Sequence, residues 1–366
     1  MAARGVGLTT QNVNHEGVQF MTDSHRVRFE PVGLEIEVNE DETVLDGAFR
    51  QGVMLMHGCK EGQCSACKSF LIEGEVDMEK YSTFALADYE SEEGYVLLCR
   101  THAYSDLTVE LINYDEEMLK SGVPIQHAKT KILAIEKLTH DIRRLTLALV
   151  EPKEMAFLPG QYVDITIPGS ESHRSFSMAN TTSTDEQLDF MIKLYPGGLF
   201  SALLDGDLSV GDELDVVGPY GTFVLRESTA RLVFVGGGAG MAPIVSLLTA
   251  MAEQGVERTS TYYYGARTQE DLFHLSELQE LAARLPGFTF VPALSDAEDD
   301  STWSGERGLI TDVLSRHEPD LTGADLYLCG PPPMIDAAMD VMLSKGADPK
   351  RIFFDKFTTT AHAEDE

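Results

Sequence analysis

Nowhere in the chain do about 18 uncharged apolar residues run together, so no segment is a candidate for a membrane-spanning helix. The opening stretch, Met1 to Phe20, lacks the basic start and apolar run of a secretory signal, which makes the cytoplasm the expected compartment. Basic residues are scarce: 28 Lys and Arg stand against 60 Asp and Glu, a formal net charge of -32. A surface this acidic repels nucleic acid and anionic membranes, so neither is an expected partner. Cysteine is sparse too, five in 366 residues. In a reducing compartment five cysteines suit ligands or reactive thiols better than a disulfide framework. No long internal repeat is present.

What is present is the composition of a water-soluble globular protein, 43% apolar and 24% charged, in a chain too long for one core. Three domains are expected. Residues 1–22 show neither helical nor strand periodicity and read as a flexible tail, with Met21 as a possible alternative start. Residues 23–118 form the first domain. Arg26 to Glu30 and Leu34 to Val38 alternate apolar and polar as a hairpin would, and Thr43 caps a helix running from Val44 to Gly52. Strands are expected again at Ser69 to Ile72 and Leu107 to Ile112. Tyr114 to Gln126, with Gly122 and Pro124, is a candidate linker. In 124–226, short alternating runs (Thr130 to Ile135, Arg144 to Leu149, Gln161 to Ile167, Leu188 to Leu194) indicate a small antiparallel barrel. In 227–357, apolar strands at Leu232 to Val235, Thr259 to Tyr264 and Leu326 to Cys329 alternate with helical stretches, the rhythm of a parallel sheet. Residues 358–366 form a C-terminal tail.

Acid is concentrated at the front. Residues 1–120 carry 9 Lys and Arg against 23 Asp and Glu, so a third of the chain holds -14 of the -32. Either this surface only promotes solubility, or it docks a basic protein partner.

Cys59, Cys64, Cys67 and Cys99 stand as C-x4-C-x2-C with a fourth cysteine after a longer gap, the plant-type ligand pattern of a 2Fe-2S cluster. Structural zinc sites pair two short cysteine elements instead, which this spacing does not. With four cysteines in place, the neighbouring His57 and His102 read as surface or packing residues rather than as ligands of a Rieske-type centre. Gly58, Gly62, Ser65 and Ala66 leave room for backbone N–H groups near the sulfurs.

Arg174-Ser-Phe176-Ser177 follows a short strand, with Pro159-Gly-Gln-Tyr162 before it. Asn180 and Lys193-Leu-Tyr-Pro-Gly197-Gly198-Leu-Phe-Ser201 come after, then Gly218-Pro-Tyr-Gly221. An arginine can clamp a pyrophosphate, a serine can bond the edge of a flavin ring, and a glycine pair opening a helix offers N–H groups to phosphate. Singly these are weak, since a barrel strand with an exposed arginine has the same look; their order is the stronger argument. Next, Leu232 to Val235 enters Gly236-Gly-Gly238-Ala-Gly240-Met-Ala-Pro243 and an apolar helix, a loop able to seat a pyrophosphate. Pro243 replaces the third glycine of the dinucleotide fingerprint and is tolerated in a first helical turn. A tight turn without ligand would look similar. Cys329-Gly330 ends a later strand of the same domain, so that Cys329 either meets a nicotinamide or is a small buried residue. Glu270 and Asp271 would repel a 2′-phosphate, Arg267 would attract one, and NADH is the expected donor.

Taken in this order, the motifs from about residue 23 to Phe357 resemble the reductases of bacterial multicomponent oxygenases. Val76 to Leu86 and the ending Phe353-Phe-Asp-Lys-Phe357 are most similar to reductases of soluble di-iron monooxygenases, the methane, propane and phenol hydroxylase systems, propane foremost. The resemblance implies a plant-type 2Fe-2S ferredoxin domain of β-grasp form, an antiparallel flavin-binding β-barrel, and a parallel-sheet NAD-binding domain of ferredoxin-reductase type. It implies FAD, a 2Fe-2S cluster, NADH, and a hydroxylase partner docked through the acidic ferredoxin domain. Ser177 and Cys329 are the expected catalytic residues, with hydride passing from NADH to the flavin and single electrons onward. Phe176 stands where the wider family commonly has tyrosine, and the tail beyond Phe357 leaves open whether that ring covers the flavin. The alternatives are the reductase of a Rieske aromatic-ring dioxygenase and, from another class, a redox-sensing binding module.

Overall fold

The computed structural model describes residues 23–170, 172–184, 186–297 and 302–357. The two tails expected at 1–22 and 358–366 lie outside the described residues. The chain divides into two compact units, 23–47 with 61–112 and 48–60 with 113–357.

In the first unit, β1 (Ser24–Glu30) and β2 (Leu34–Asn39) form an antiparallel hairpin in which Val27, Phe29, Ile36 and Val38 point inward. Helix α1 (Val44–Arg50), whose residues from Ala48 on group with the second unit, begins at Thr43, whose Oγ1 accepts from the Asp46 N–H at 3.1 Å. Regular helix stops at Arg50; the expected glycine stop, Gly52, follows in a turn at φ +74°. After the cysteine loop come β3 (Lys68–Glu73), β4 (Val76–Met78), α2 (Asp88–Glu93), β5 (Tyr95–Leu97), β6 (Thr101–Ala103) and β7 (Leu107–Leu111). The main sheet has the order β2-β1-β7-β3-β5, with β1 and β7 parallel, and β4 pairs β6 separately.

The second unit contains the other two sheets. Within the candidate linker, the chain instead forms a helix, α3 (Glu116–Ser121). Asp115 caps it by accepting from Glu117 and Met118 N–H, and Met118 and Leu119 are buried. The acidic run thus hides an N-cap and an apolar pair too short for a periodicity to register.

The barrel comprises β8 (Gln126–Lys137), β9 (Ile142–Glu151), β10 (Tyr162–Thr166), β11 (His173–Ser177), β12 (Gln187–Lys193) and β13 (Glu213–Tyr220), with α4 (Leu199–Ala202) between the last two. Its antiparallel order is β11-β10-β13-β8-β9-β12, and a bridge between Met178 and Phe190 nearly closes it. Alternation puts Leu145, Leu147, Val163, Ile165, Leu188, Phe190 and Val216 inside.

The last sheet is parallel: β14 (Leu232–Gly237), β15 (Ser260–Ala266), β16 (Phe288–Leu294), β17 (Glu306–Arg307), β18 (Asp325–Gly330) and β19 (Ile352–Lys356), in the order β17-β16-β15-β14-β18-β19. Helices α5 (Met241–Gln254) and α6 (Leu275–Arg284) join one core with Phe234, Tyr262 and Tyr327. Helices α7 (Ile310–His317) and α8 (Pro332–Ser344) join the other with Val233, Val235, Leu326 and Leu328. Burial on both faces explains why these strands read as continuous apolar runs.

Candidate active site

The order of the parallel sheet locates a crevice. From β14 the chain steps outward through β15, β16 and β17, then returns to place β18 on the other side of β14. In such sheets ligands bind beyond the carboxyl ends of the strands at that reversal. Those ends are Gly236-Gly237 and Cys329-Gly330, with Gly236 opposite Cys329. The glycines there have different duties. A Cβ on Gly236 would stand 2.7 Å from Tyr262 Oη, one on Gly237 2.9 Å from Met334 Sδ, and one on Gly240 would drive into the Cys329 carbonyl. Gly238, at φ +56°, has no neighbour within 4 Å of where a Cβ would stand. Close packing at three positions therefore presents bare backbone at the fourth, as a phosphate cradle requires.

The barrel brings its own row of residues. Tyr162 lies opposite Ser177 on one side and Tyr220 on the other, and the tyrosine rings are 5.6 Å apart. Ser177 Oγ donates to Asp355 Oδ2 at 3.2 Å, and Asp355 pairs with Cys329 across β18 and β19. Ser177, Asp355 and Cys329 thus come together from three strands. Burial raises the Asp355 carboxyl from 3.8 to about 6, opposed by the Ser177 hydrogen bond. Burial, reinforced by Asp355, pushes the Cys329 thiol far up, so it is a neutral thiol at pH 7. Cys329 is 0% exposed and belongs to the core cluster. Asp355 was missed in the sequence; the quoted Phe353 to Phe357 run contained it without a signal for its role.

The remaining expected residues fall as follows. Arg174 Nη1 donates to the His173 carbonyl. Phe176 alternates to the opposite face from Ser177 and packs on Phe200 at 4.9 Å, against the barrel core. Asn180 is buried, with its amide group bonded to Thr181 O, Thr184 Oγ1 and Gln187 O and its oxygen accepting from Asp189 N–H. Its side chain is occupied in fixing the turn before β12. Lys193 pairs with Asp141 at 3.0 Å. Gly197, at φ +77°, is as bare as Gly238, while Ser201 Oγ accepts from Tyr195 N–H. Asp271 Oδ2 accepts from Thr268 N–H and Oγ1, and Oδ1 lies 3.3 Å from His140 Nδ1; Glu270 is exposed. Arg267 pairs with Asp296 at 3.2 Å. Phe357 N–H donates to Gly330 O, and its ring packs on the core beside β18.

Cys67 and Cys99 are 3% and 4% exposed, whereas Cys59 and Cys64 are half-buried. In the first unit, Gly62 (φ +71°) closes the loop: its carbonyl accepts from Ser82 N–H, and a Cβ there would meet Tyr81 Cβ at 2.9 Å. Ser65 Oγ donates to Ala85 O. Among the described residues, no three His, Cys, Asp or Glu side chains group as they would around a single metal ion. An all-cysteine two-iron cluster asks for two thiolates at each iron, and the donor set is four thiols, which fits that group. His57 is a packing residue: it sits edge-on to Phe49 at 4.7 Å, its Nδ1 donates to Leu55 O, and burial lowers it to about 4. His102 ring nitrogens lie 3.0 Å from Glu40 O and 3.1 Å from Glu79 Oε1.

Comparison with known proteins agrees with this layout. The model of the 2Fe-2S iron-sulfur cluster binding domain matches residues 27–104, that of the oxidoreductase FAD-binding domain 129–225, and that of the oxidoreductase NAD-binding domain 234–340. The chain is 54% identical over 345 residues to the propane 2-monooxygenase reductase component of Rhodococcus jostii, covering 93% of each. It is 38% identical to the phenol 2-monooxygenase reductase component of a Pseudomonas strain, covering 92% of this chain and 96% of the relative. Among solved structures, the Amycolatopsis cytochrome P450 reductase GcoB superimposes with a TM-score of 0.82 at 31% identity, over 92% of this chain and 99% of that one.

Proposed function

The chain belongs to the family of reductase components of multicomponent monooxygenases, with 2Fe-2S, FAD-binding and NAD-binding domains, and from that premise we propose that it passes electrons from NADH to a hydroxylase acting on propane or another small hydrocarbon. The chain is an NADH-dependent oxidoreductase, and among the described residues no helix is long and apolar enough to cross a membrane. The observation that carries the proposal is the meeting of Ser177, Asp355 and Cys329 at the reversal of the parallel sheet, beside the bare backbone of Gly238.

When bound, FAD supplies the conversion of a two-electron hydride into single electrons, and the cluster supplies one-electron carriage. The chain's own residues hold and orient these groups. Ser177 Oγ would offer a hydrogen bond to the flavin, with Asp355 behind it to fix the hydroxyl. Arg174 and the Gly197-Gly198 turn hold the FAD pyrophosphate, and Gly238 and Gly240 hold that of NADH. Glu270 and Asp271 would repel a 2′-phosphate. Cys59, Cys64, Cys67 and Cys99 hold the iron. The division 23–118, 124–226 and 227–357 is the working domain assignment, supported by the spans of the three family models. A cytoplasmic location and docking through the acidic ferredoxin domain complete the reading.

Anaerobic stopped-flow reduction by NADH, with NADPH alongside, tests it. The flavin is expected to bleach first and the cluster to follow, with NADH strongly preferred. In Cys64→Ala, flavin bleaching should persist while delivery to the hydroxylase stops; normal delivery by that variant refutes the scheme.

A further inference from the structure

Residues 48–60 group with the second unit, and this segment ends one residue beyond Cys59. Lys60 adopts the left-handed conformation at φ 58°, which is unfavourable for a residue with a Cβ. What holds it there is visible. Its ammonium pairs with Asp164 on β10, with the two side chains only 15% and 7% exposed. Lys60 Nζ also lies 3.4 Å from the centre of the Tyr220 ring and 5.7 Å from that of Tyr162. Asp164 Oδ1 accepts from Ser175 Oγ at 2.6 Å, and His173 Nε2 lies 3.6 Å from Oδ2. On the other side of Cys59, the His57 ring packs between Phe49 and Tyr162, at 4.7 and 6.3 Å, and Phe49 meets Tyr220 at 5.5 Å.

Register places this anchorage. Asp164 lies opposite Ser175 as Tyr162 lies opposite Ser177, one step along the same face of β10 and β11. Cys59 is therefore bracketed by two residues, His57 and Lys60, both fixed on the barrel face that carries Tyr162 and Ser177. A buried ion pair is a poor way to gain stability, since apolar residues of similar volume often do as well or better; its use is to fix one geometry. An aromatic floor beneath the ammonium adds direction to that attraction.

We propose that Lys60 and Asp164 are positioning residues for electron transfer: together they hold the Cys59 end of the iron–sulfur loop on the flavin face of the barrel. This rests on the reading of Ser177 as the flavin contact and Cys59 as an iron ligand. Electron balance is unaffected by the pair. One hydride brings two electrons and a proton, the electrons leave singly, and the proton is released to solvent; neither Lys60 nor Asp164 takes part in the bookkeeping.

The test uses the holoenzyme carrying Lys60→Met, Asp164→Asn, both together, and Lys60→Arg. Flavin reduction by NADH should be unchanged, while transfer from flavin to cluster should slow severalfold, because electron tunnelling falls exponentially as the Cys59 end of the loop loosens from the barrel. Backbone amide exchange across 55–61 should accelerate in the single variants, reporting the loosened segment independently of turnover. The double variant should be no slower than either single, because each single already breaks the unit, and Lys60→Arg should recover most of the rate. Unchanged transfer and unchanged exchange in Lys60→Met and Asp164→Asn, with cofactor content intact, would overturn the proposal. So would losses that multiply in the double variant. Failure of the unmodified protein to reduce its flavin with NADH would instead strike the functional reading on which the proposal rests.

Discussion

Asp355 lies at the centre of the chemistry visible at the scale of single residues. Its carboxyl is raised from 3.8 to about 6 by burial, so the folded protein favours the neutral acid. A group shifted upward contributes stability that is complete below its ordinary value and is lost as pH rises through the folded value. Asp355 should therefore contribute a progressive loss of thermal stability to the cofactor-free protein as pH rises from about 4 to about 7, read as the difference between the unfolding midpoints of Asp355→Asn and the parent. The two proteins should agree at the acid end and the variant should be the more stable at neutral pH; parallel curves would remove Asp355 as the cause. The cysteines divide at the same scale. Four are proposed as iron ligands from their C-x4-C-x2-C spacing and a later fourth cysteine, a pattern visible in the chain itself. For Cys329 the sequence allows either nicotinamide contact or packing; its complete burial as a neutral thiol puts its side chain in the core while its strand end borders the crevice.

Elements explain why one glycine matters more than another. The turn from β14 into α5 can be this tight only because Gly240 lets the chain pass against the Cys329 carbonyl, so strand, helix and the neighbouring β18 share one contact. Gly240→Ala should force them apart, costing about 1–3 kcal/mol of stability as overpacking does, together with a raised KM for NADH. Gly238→Ala adds its methyl to open space at φ +56° and carries only the backbone cost, about 1–2 kcal/mol. Thermal melts and NADH titrations of both variants check this; an equal KM in Gly240→Ala and the parent protein would contradict it. Helix α3 shows the opposite situation, an element the pattern did not announce. Six residues with one buried pair carry too little periodicity to stand out, and what secures them is Asp115, which caps the helix and also pairs with Arg226 at 2.9 Å from far along the chain.

Across the whole molecule, charge is the property most readily tested. With -32 overall and -14 of it in the first 120 residues, the proposed docking of a hydroxylase on the ferredoxin domain predicts binding that weakens as salt rises through the physiological range, where screening lengths are about 8 Å. Titration of the complex at several ionic strengths reads this directly, and salt-independent affinity would move the docking surface elsewhere. The sequence by itself determined the order of the three domains, the cysteine spacing from which a cluster is proposed, and the glycine-rich turns, because each is a pattern written along the chain. Only the tertiary structure decided that Ser177 meets Asp355, that Phe176 turns toward Phe200, that the Asn180 amide is occupied by its own turn, and that Lys60 is fastened to Asp164. Those partners are brought together by strand register and sheet order, and no spacing along the chain encodes which side chains will share a face.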